Sequence, residues 1–241
     1  MSLRNLYFLP CFVILTVGFS LIALFVALFD SSGNRSHRIA SVWATCTLFL
    51  SGVRVKIRNL DVLRPGQAYI FAANHQSASD IPALLSKLQV QFRWLAKDSL
   101  FKIPLFGWAM KRVGYLPVNR SNFKQAYQSL LLAAQKIKEG TSVVIFPEGT
   151  RQEADHLGEF KKGGFVLALK SQMPIVPIGI LGSARVLPNK GLWITPGTIQ
   201  IVLGKPIPTE GYHSKDAKIL MQKVREAIEH NLKFNEFKAE N

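Results

Sequence analysis

The length, composition and charge of the chain limit what it can be. Its 241 residues, 48% of them hydrophobic, suffice for one compact domain and are too few for two full domains with a linker. The only two cysteines, Cys11 and Cys46, lie in apolar stretches, which excludes a disulfide framework or a cysteine-based metal cluster and indicates a reducing compartment. Thirty Lys and Arg against 15 Asp and Glu give a net charge of +15, so an anionic partner is expected, either nucleic acid or anionic lipid.

The N-terminal fifth of the chain favours lipid. Residues 6–29 contain no charged side chain and would extend roughly 36 Å as a helix, against a bilayer hydrocarbon core of about 30 Å. A second uncharged run, residues 39–53, is short for a span but adequate for a helix within one leaflet. Residues 1–53 are therefore predicted to form a membrane-associated helical hairpin. The alternatives are a buried soluble helix pair and a cleaved signal peptide, although residues 30–38 lack a small-residue cleavage pattern.

Basic residues on every flank of this hairpin bear on its topology. They precede it, occupy its turn and follow it at Arg4, Arg35, Arg38, Arg54, Lys56 and Arg58. This distribution suits shallow insertion from the cytoplasmic side better than two clean spans, although spanning and single-leaflet hairpins both stay open. The sequence thus predicts a membrane protein whose second unit, residues 54–241, is catalytic and lies on the cytoplasmic side.

From Arg54 onward, short apolar runs alternate with helical stretches, which is typical of an α/β domain. Apolar residues at helical spacing predict two of its helices, one at 123–137 and one from about Ser214 to Leu232. We expect a single domain with a mixed, mostly parallel sheet flanked by helices. Its seven strands are predicted at 53–60, 68–74, 91–96, 114–118, 142–146, 175–180 and 198–203. Two stretches almost without acids, 87–124 and 161–205, indicate a surface for anionic headgroups.

A polar cluster follows the second of these strands, where sites are built in α/β folds. Residues 74–80 read NHQSASD, and Pro82 indicates a helix that begins near Asp80. His75 would then lie in the turn and could face Asp80. A His can act as a general base while an Asp on its other ring nitrogen fixes the tautomer. A hydrogen-bonded pair at the surface is the alternative.

A second cluster, FPEGTR at residues 146–151, ends another apolar strand. Gly149 permits a tight turn or close approach of a ligand, and Thr150 can donate a hydrogen bond. Arg151 presents a planar fork that suits bidentate contact with a phosphate. An ordinary strand-ending turn, with Glu148 and Arg151 as a local ion pair, is the alternative.

Together, NHQSASD and FPEGTR resemble the motifs of the glycerolipid acyltransferase family, most closely its 1-acylglycerol-3-phosphate acyltransferases. Two further segments resemble the family's second and fourth blocks, GYLPVNR at 114–120 and MPIVPIG at 173–179, and Lys97 lies in the segment that leads into the second. The resemblance extends from about residue 54 to about residue 206. It departs at Pro117, where the family usually has an aromatic or aliphatic residue, and at Asn119, where it often has Asp.

The resemblance implies an enzyme that transfers an acyl chain from acyl-CoA or acyl-carrier protein to the sn-2 hydroxyl of lysophosphatidic acid, forming phosphatidic acid. His75 would be the general base and Asp80 its orienting partner. The other site residues would hold the acceptor's phosphate, as Lys97, Arg120 and Arg151, or shape the acceptor pocket, as Glu148, Gly149 and Thr150.

The chemistry needs few further components. The His base suffices for direct attack without an acyl-enzyme intermediate. No cofactor and no metal are expected, because Arg and Lys can meet the substrate's charge. The expected partners are an anionic phospholipid membrane, lysophosphatidic acid and the acyl donor, but no nucleic acid.

Two other interpretations stay open. Glycerol 3-phosphate or another lysophospholipid could be the acceptor, since a phosphate clamp does not distinguish them, although Gln76 after the His resembles the lysophosphatidate enzymes. A basic membrane-binding module without catalysis is the alternative from another class. Nucleic-acid binding is disfavoured because the sequence has no recognised motif and no aromatic residues interleaved with basic ones.

Overall fold

The computed structural model describes residues 3–119, 123–153, 156–189, 191 and 193–233. Two N-terminal helices precede an α/β body, which confirms the predicted fold class. The helices are α1 (Leu3–Val26), α2 (Asn34–Ser51), α3 (Asp80–Lys87), α4 (Phe106–Val113), α5 (Phe123–Lys138), α6 (Gly163–Ser171), α7 (Ser183–Val186) and α8 (Ala217–Lys233). The strands are β1 (Val53–Arg58), β2 (Ile70–Ala73), β3 (Phe92–Lys97), β4 (Leu116–Val118), β5 (Ser142–Ile145), β6 (Ile175–Leu181) and β7 (Gly197–Leu203).

All seven predicted strands form one sheet, in the order β1-β7-β6-β2-β5-β3-β4. Every neighbouring pair is parallel except β6 and β7, which are antiparallel, so the sheet is mixed and mostly parallel. The central strands β2 and β5 are buried along their length, which explains their continuous apolar sequences. β4 lies at an edge, where a residue without an N–H such as Pro117 is tolerated.

The sheet carries an apolar layer on each face. Alternate residues of β2 point to opposite sides, so Phe71 packs in one layer and Ile70 in the other. The layer on the Ile70 side contains residues of α5, α6 and α8. The layer on the Phe71 side contains residues of α3 and α4 together with Ala44 and Leu48 of α2. The second helix of the N-terminal segment therefore contributes to the main core, while the division into units at residues 53 and 54 stays a prediction.

The turn between α1 and α2 is fastened to the sheet by Arg93, a buried residue of β3. Its Nη2 donates to the carbonyl oxygen of Ser32 at 3.1 Å and to Oδ1 of Asn34 at 2.7 Å. The two helices are joined further along by the Trp43 indole, whose N–H donates to Thr16 Oγ1 at 3.1 Å. These bonds hold α1 against the body although most of its residues are not buried.

The outer face of α1 is apolar and exposed. The most apolar 18-residue window within residues 5–26 has a mean hydropathy of 2.6, and within the described chain this is the one helix long and apolar enough to cross a membrane. Its large apolar side chains are half exposed or more at Leu6, Leu9, Val13, Ile14, Leu21, Ile22 and Phe25. This set is called the α1 stripe below. Because α1 also packs on α2 and α4, the stripe lies on the side turned away from the sheet.

Candidate active site

The loop between β2 and α3 is held in one conformation by its own side chains. Asn74 pairs with the backbone of Ile180 in β6 in both directions, at 2.9 Å from Nδ2 and 2.7 Å to Oδ1. Asp80 is fully buried as the first residue of α3, and its Oδ2 accepts the N–H groups of Gln76 and Ser77, each at 2.9 Å. The loop thus wraps around one carboxylate.

The same carboxylate orients His75. Its Oδ2 lies 2.8 Å from His75 Nδ1, and because a carboxylate can only accept, Nδ1 carries the proton. The His75 side chain is 13% exposed and lines a cavity, so Nε2 is the ring nitrogen left to face it. A neutral imidazole with a free Nε2 and a carboxylate on Nδ1 is the arrangement that general-base chemistry requires.

The second motif, which follows β5, contacts His75 through both its ring and its backbone. The ring of Phe146 stacks on that of His75, with centroids 3.9 Å apart and planes 11° apart. Glu148 Oε1 accepts the backbone N–H of His75 at 2.8 Å, and Oε2 accepts that of Gly158 at 2.8 Å. The N–H of Gln152 donates to the His75 carbonyl oxygen at 2.8 Å. The imidazole is therefore positioned through both its ring and its backbone.

Glu148 is buried away from the cavity, unlike the next three residues of its motif. It is only 1% exposed and does not line the cavity, because both carboxylate oxygens are turned to backbone N–H groups. Burial raises the pKa of Glu148, and the two backbone N–H groups that it accepts oppose that rise. Its geometry suits it to joining the two motifs rather than touching a ligand.

A cavity of about 600 Å³ runs from these motifs into the molecule. One part of its lining is polar and basic, and comprises His75, Lys97, Gly149, Thr150, Arg151 and Asn189. We call this part the polar end. The first five follow or end the parallel strands β2, β3 and β5, so they meet at one edge of the sheet, as expected for an α/β site. Of the predicted phosphate-binding residues, Arg120 lies outside the described part of the chain.

The rest of the cavity is largely apolar and reaches α1, α2 and α4. Its lining includes Phe19, Ala23, Ile39, Ala40, Trp43, Ala109, Met110 and Val113. Tyr115 lines it as well, and its hydroxyl lies 3.3 Å from Nδ1 of the buried His37. Burial lowers the pKa of His37 to about 3, so this imidazole is neutral and brings no charge to an apolar region. The cavity can therefore hold a long apolar chain joined to an anionic group.

Sequence reasoning missed several of these residues. The hairpin was predicted to contact lipid, and nothing in its composition indicated that its inner face would line the site. Phe146 could have been anticipated, because it begins the second motif directly after β5, and β5 pairs with β2, the strand that precedes His75. Trp94, stacked on Phe146 at 5.5 Å between centroids, and Asn189 carry no local signal. Among the described residues, no group of three or more His, Cys, Asp and Glu is placed to hold a metal ion.

A basic, histidine-containing end that opens into an apolar cavity defines a protein for amphipathic anionic substrates. Comparison with known proteins identifies the family. A family model described as Acyltransferase matches residues 54–181, just over half of the chain. The chain therefore belongs to the Acyltransferase family.

Individual relatives carry more specific names. The chain is 34% identical over 208 residues to a chloroplastic 1-acyl-sn-glycerol-3-phosphate acyltransferase of Arabidopsis thaliana, covering 85% of this chain and 56% of that protein. It is 31% identical over 181 residues to the human 1-acyl-sn-glycerol-3-phosphate acyltransferase alpha, covering 75% and 64%. The chain thus spans less than two thirds of the length of these curated relatives. The crystal structure of the lysophosphatidate acyltransferase PlsC from Thermotoga maritima has the same fold, with a TM-score of 0.84 at 23% identity over 99% of this chain and 97% of that one.

The position of Glu148 generates a testable prediction. We expect Glu148→Gln to lower the free energy of unfolding by about 1–3 kcal/mol, because the amide NH2 cannot accept the second backbone N–H and would leave it unpaired. Chemical denaturation in detergent measures the change. Glu210→Gln, at an exposed position, is the matched control. Equal stability of the parent and the Glu148 variant would show that this carboxylate does not hold the two motifs together.

Proposed function

We propose that the protein transfers a fatty acyl chain from an acyl thioester, acyl-CoA or acyl-carrier protein, to the sn-2 hydroxyl of lysophosphatidic acid and so forms phosphatidic acid. The observation that carries this proposal is the continuity of one cavity from His75, Lys97 and Arg151 to an apolar lining. Lysophosphatidic acid has the matching parts, a phosphate, a free hydroxyl and an acyl chain. The names of the relatives support the same acceptor.

In the proposed reaction His75 acts as the general base. Its Nε2 removes the proton of the sn-2 hydroxyl while the hydroxyl oxygen attacks the thioester carbonyl carbon. Asp80 stabilises the imidazolium that forms, since its Oδ2 already bonds Nδ1–H. When the tetrahedral intermediate collapses, the ester C–O bond is retained, the C–S bond breaks and the imidazolium returns the proton to the leaving thiolate. Protons balance without any other group.

Direct attack is favoured over an acyl-enzyme because the serine hydroxyls of the His75 loop are already engaged. Ser77 Oγ donates to the carbonyl oxygen of Leu187 at 2.7 Å and lies 2.8 Å from Ser79 Oγ. Both serines are buried and neither lines the cavity. Cys11 and Cys46 lie in the two N-terminal helices and do not line it either. These two serines and the two cysteines are thus not placed to act as a nucleophile in the cavity.

Lys97 and Arg151 are proposed to bind the acceptor's phosphate at the polar end, and Arg120 to join them as the family resemblance implies. A guanidinium fork can bond two phosphate oxygens at once, whereas Lys97 supplies a point charge from the end of β3. Gly149 and Thr150 would shape the acceptor pocket beside them. Placing the phosphate there leaves the glycerol next to His75 and points the acyl chains into the apolar lining.

The α1 stripe is proposed to embed in the membrane that holds the substrate. An exposed row of seven large apolar side chains is costly in water, and the net charge of +15 complements anionic lipid headgroups. Because α1 packs along α2 and α4, a position within one leaflet fits its contacts better than an upright span. In that position the apolar lining of the cavity lies directly behind the embedded helix, and the catalytic body stays on the cytoplasmic side.

The catalytic assignment predicts large losses from small changes. Purified parent protein in lipid should form phosphatidic acid and release thiol when given lysophosphatidic acid and an acyl thioester. His75→Ala and Asp80→Asn should each lower turnover at least about 10²-fold, because the first removes the base and the second its orienting partner. His156→Ala, at an exposed position outside the cavity, is the matched control. Near-native turnover in either variant would refute the assigned role.

The membrane assignment predicts resistance to salt. Since the Debye length falls from about 10 Å at 0.1 M to about 3 Å at 1 M salt, purely electrostatic binding to anionic vesicles should be lost at 1 M. The parent protein should co-sediment at both concentrations, whereas the double variant Ile14→Asp with Leu21→Asp should be released at 1 M. Ile219→Asp, an equally exposed position on α8, should behave as the parent. Release of the parent at 1 M salt would mean that the stripe does not enter the bilayer.

A further inference from the structure

A third segment, outside both motifs, contacts each of them. It comprises α7 and residues 187–189. The hydroxyl of Ser77, in the loop that carries His75, donates to the carbonyl oxygen of Leu187 at 2.7 Å. Two residues further on, Asn189 Nδ2 donates to the carbonyl oxygen of Arg151 at 3.1 Å. This segment therefore links the loop of the proposed base to the proposed phosphate-binding arginine.

With the bond from Asn189, both polar groups of one peptide unit are hydrogen-bonded. The peptide between Arg151 and Gln152 has its N–H bonded to the carbonyl oxygen of His75 at 2.8 Å and its C=O bonded to Asn189. Residues 151–153 belong to no helix or strand, so no regular hydrogen-bond ladder holds them. With both ends of this peptide bonded, the direction in which the Arg151 side chain leaves the backbone is set relative to His75.

The Asn189 side chain has a defined orientation. A carbonyl oxygen only accepts, so the amide nitrogen of Asn189 faces Arg151 and its Oδ1 points away. The residue also lines the polar end of the cavity, together with Thr150 and Arg151. It is therefore a neutral residue beside the basic side chains of the site, Lys97 and Arg151.

We propose that Asn189 is a positioning residue for the acceptor: by holding the Arg151 backbone it aims the guanidinium at the acceptor's phosphate and so sets acceptor affinity. The inference rests on the proposed function, which assigns the phosphate to Arg151. A long side chain that must meet a phosphate loses less conformational entropy when its backbone is already fixed. The bond to Asn189 should thus affect binding of the acceptor and leave the donor and the proton transfer unaffected.

Two substitutions at position 189 separate positioning from general support of the fold. Asn189→Ala removes the donor and should raise the acceptor KM about threefold to tenfold, as loss of one neutral hydrogen bond allows. Asn189→Asp also removes the donor and adds a negative charge beside the phosphate site, so it should raise that KM at least about tenfold. Part of the Asp effect should disappear in salt, because screening weakens charge repulsion. For both variants, kcat and the donor KM should stay within about twofold of the parent.

The experiment combines turnover with binding. Initial rates of thiol release give the two KM values, and titration calorimetry with lysophosphatidic acid alone gives a Kd that does not depend on turnover. Arg151→Ala is the reference for loss of the phosphate contact. Asn59→Asp is the matched control, because Asn59 Nδ2 also donates to a backbone carbonyl, that of Leu203 at 3.0 Å, away from the cavity.

Each outcome decides the inference. A raised acceptor KM and Kd in both position 189 variants, with the control unchanged, supports it. Unchanged acceptor binding, or an equal rise of both KM values, overturns it while the proposed function stands. If the parent binds lysophosphatidic acid without acylating it, the Kd values still test the inference and the proposed function fails. If the parent neither binds nor acylates it, both are wrong.

Discussion

The site depends on one buried carboxylate. Asp80 is fully buried, and its Oδ2 accepts the His75 ring N–H and two backbone N–H groups of the same loop. Because a buried carboxylate is costly, these three donors to Oδ2 favour closure of the loop around it, although Oδ1 is buried without a hydrogen-bond partner among the described residues. That closure carries His75 to the end of β2, where Phe146 and the carboxylate of Glu148 meet it. The ring cannot turn without losing its bond to Asp80 and its stacking on Phe146.

The cavity depends equally on the N-terminal helices. α1 and α2 supply a large share of its apolar lining, and Arg93 fastens the turn between them to β3. The same helix that presents an apolar stripe to the outside thus presents Phe19 and Ala23 to the inside. In the proposed function this places the membrane on one side of a single helix and the reacting lipid on the other. A lipid substrate that moves from the membrane into the cavity would therefore expose little of its acyl chain to water.

Much of the architecture could be predicted from the sequence because it is encoded locally. The seven strands have apolar runs bounded by turns, and α5 and α8 have apolar residues at helical spacing. The contact of His75 with Asp80 was predictable as well, since a helix that begins at Asp80 leaves His75 in the preceding turn, where the two side chains can face each other. The partners of Glu148 were not, because Gly158 approaches it only through the tertiary fold. The inner lining from α1 and α2 and the bond of Asn189 are long-range contacts of the same kind, without any signature in the residues around them.

The proposed reaction requires that Asp80 keeps the proton on Nδ1 of His75 and leaves Nε2 free to accept one. Nitrogen NMR of protein labelled at the histidine ring nitrogens tests this directly, with His75→Ala used to assign the signal. When the ring is neutral, we expect His75 Nδ1 to show the shift of a protonated ring nitrogen and Nε2 that of an unprotonated one, and Asp80→Asn to abolish this preference. A neutral ring with its proton on Nε2 in the parent protein would contradict this role of Asp80.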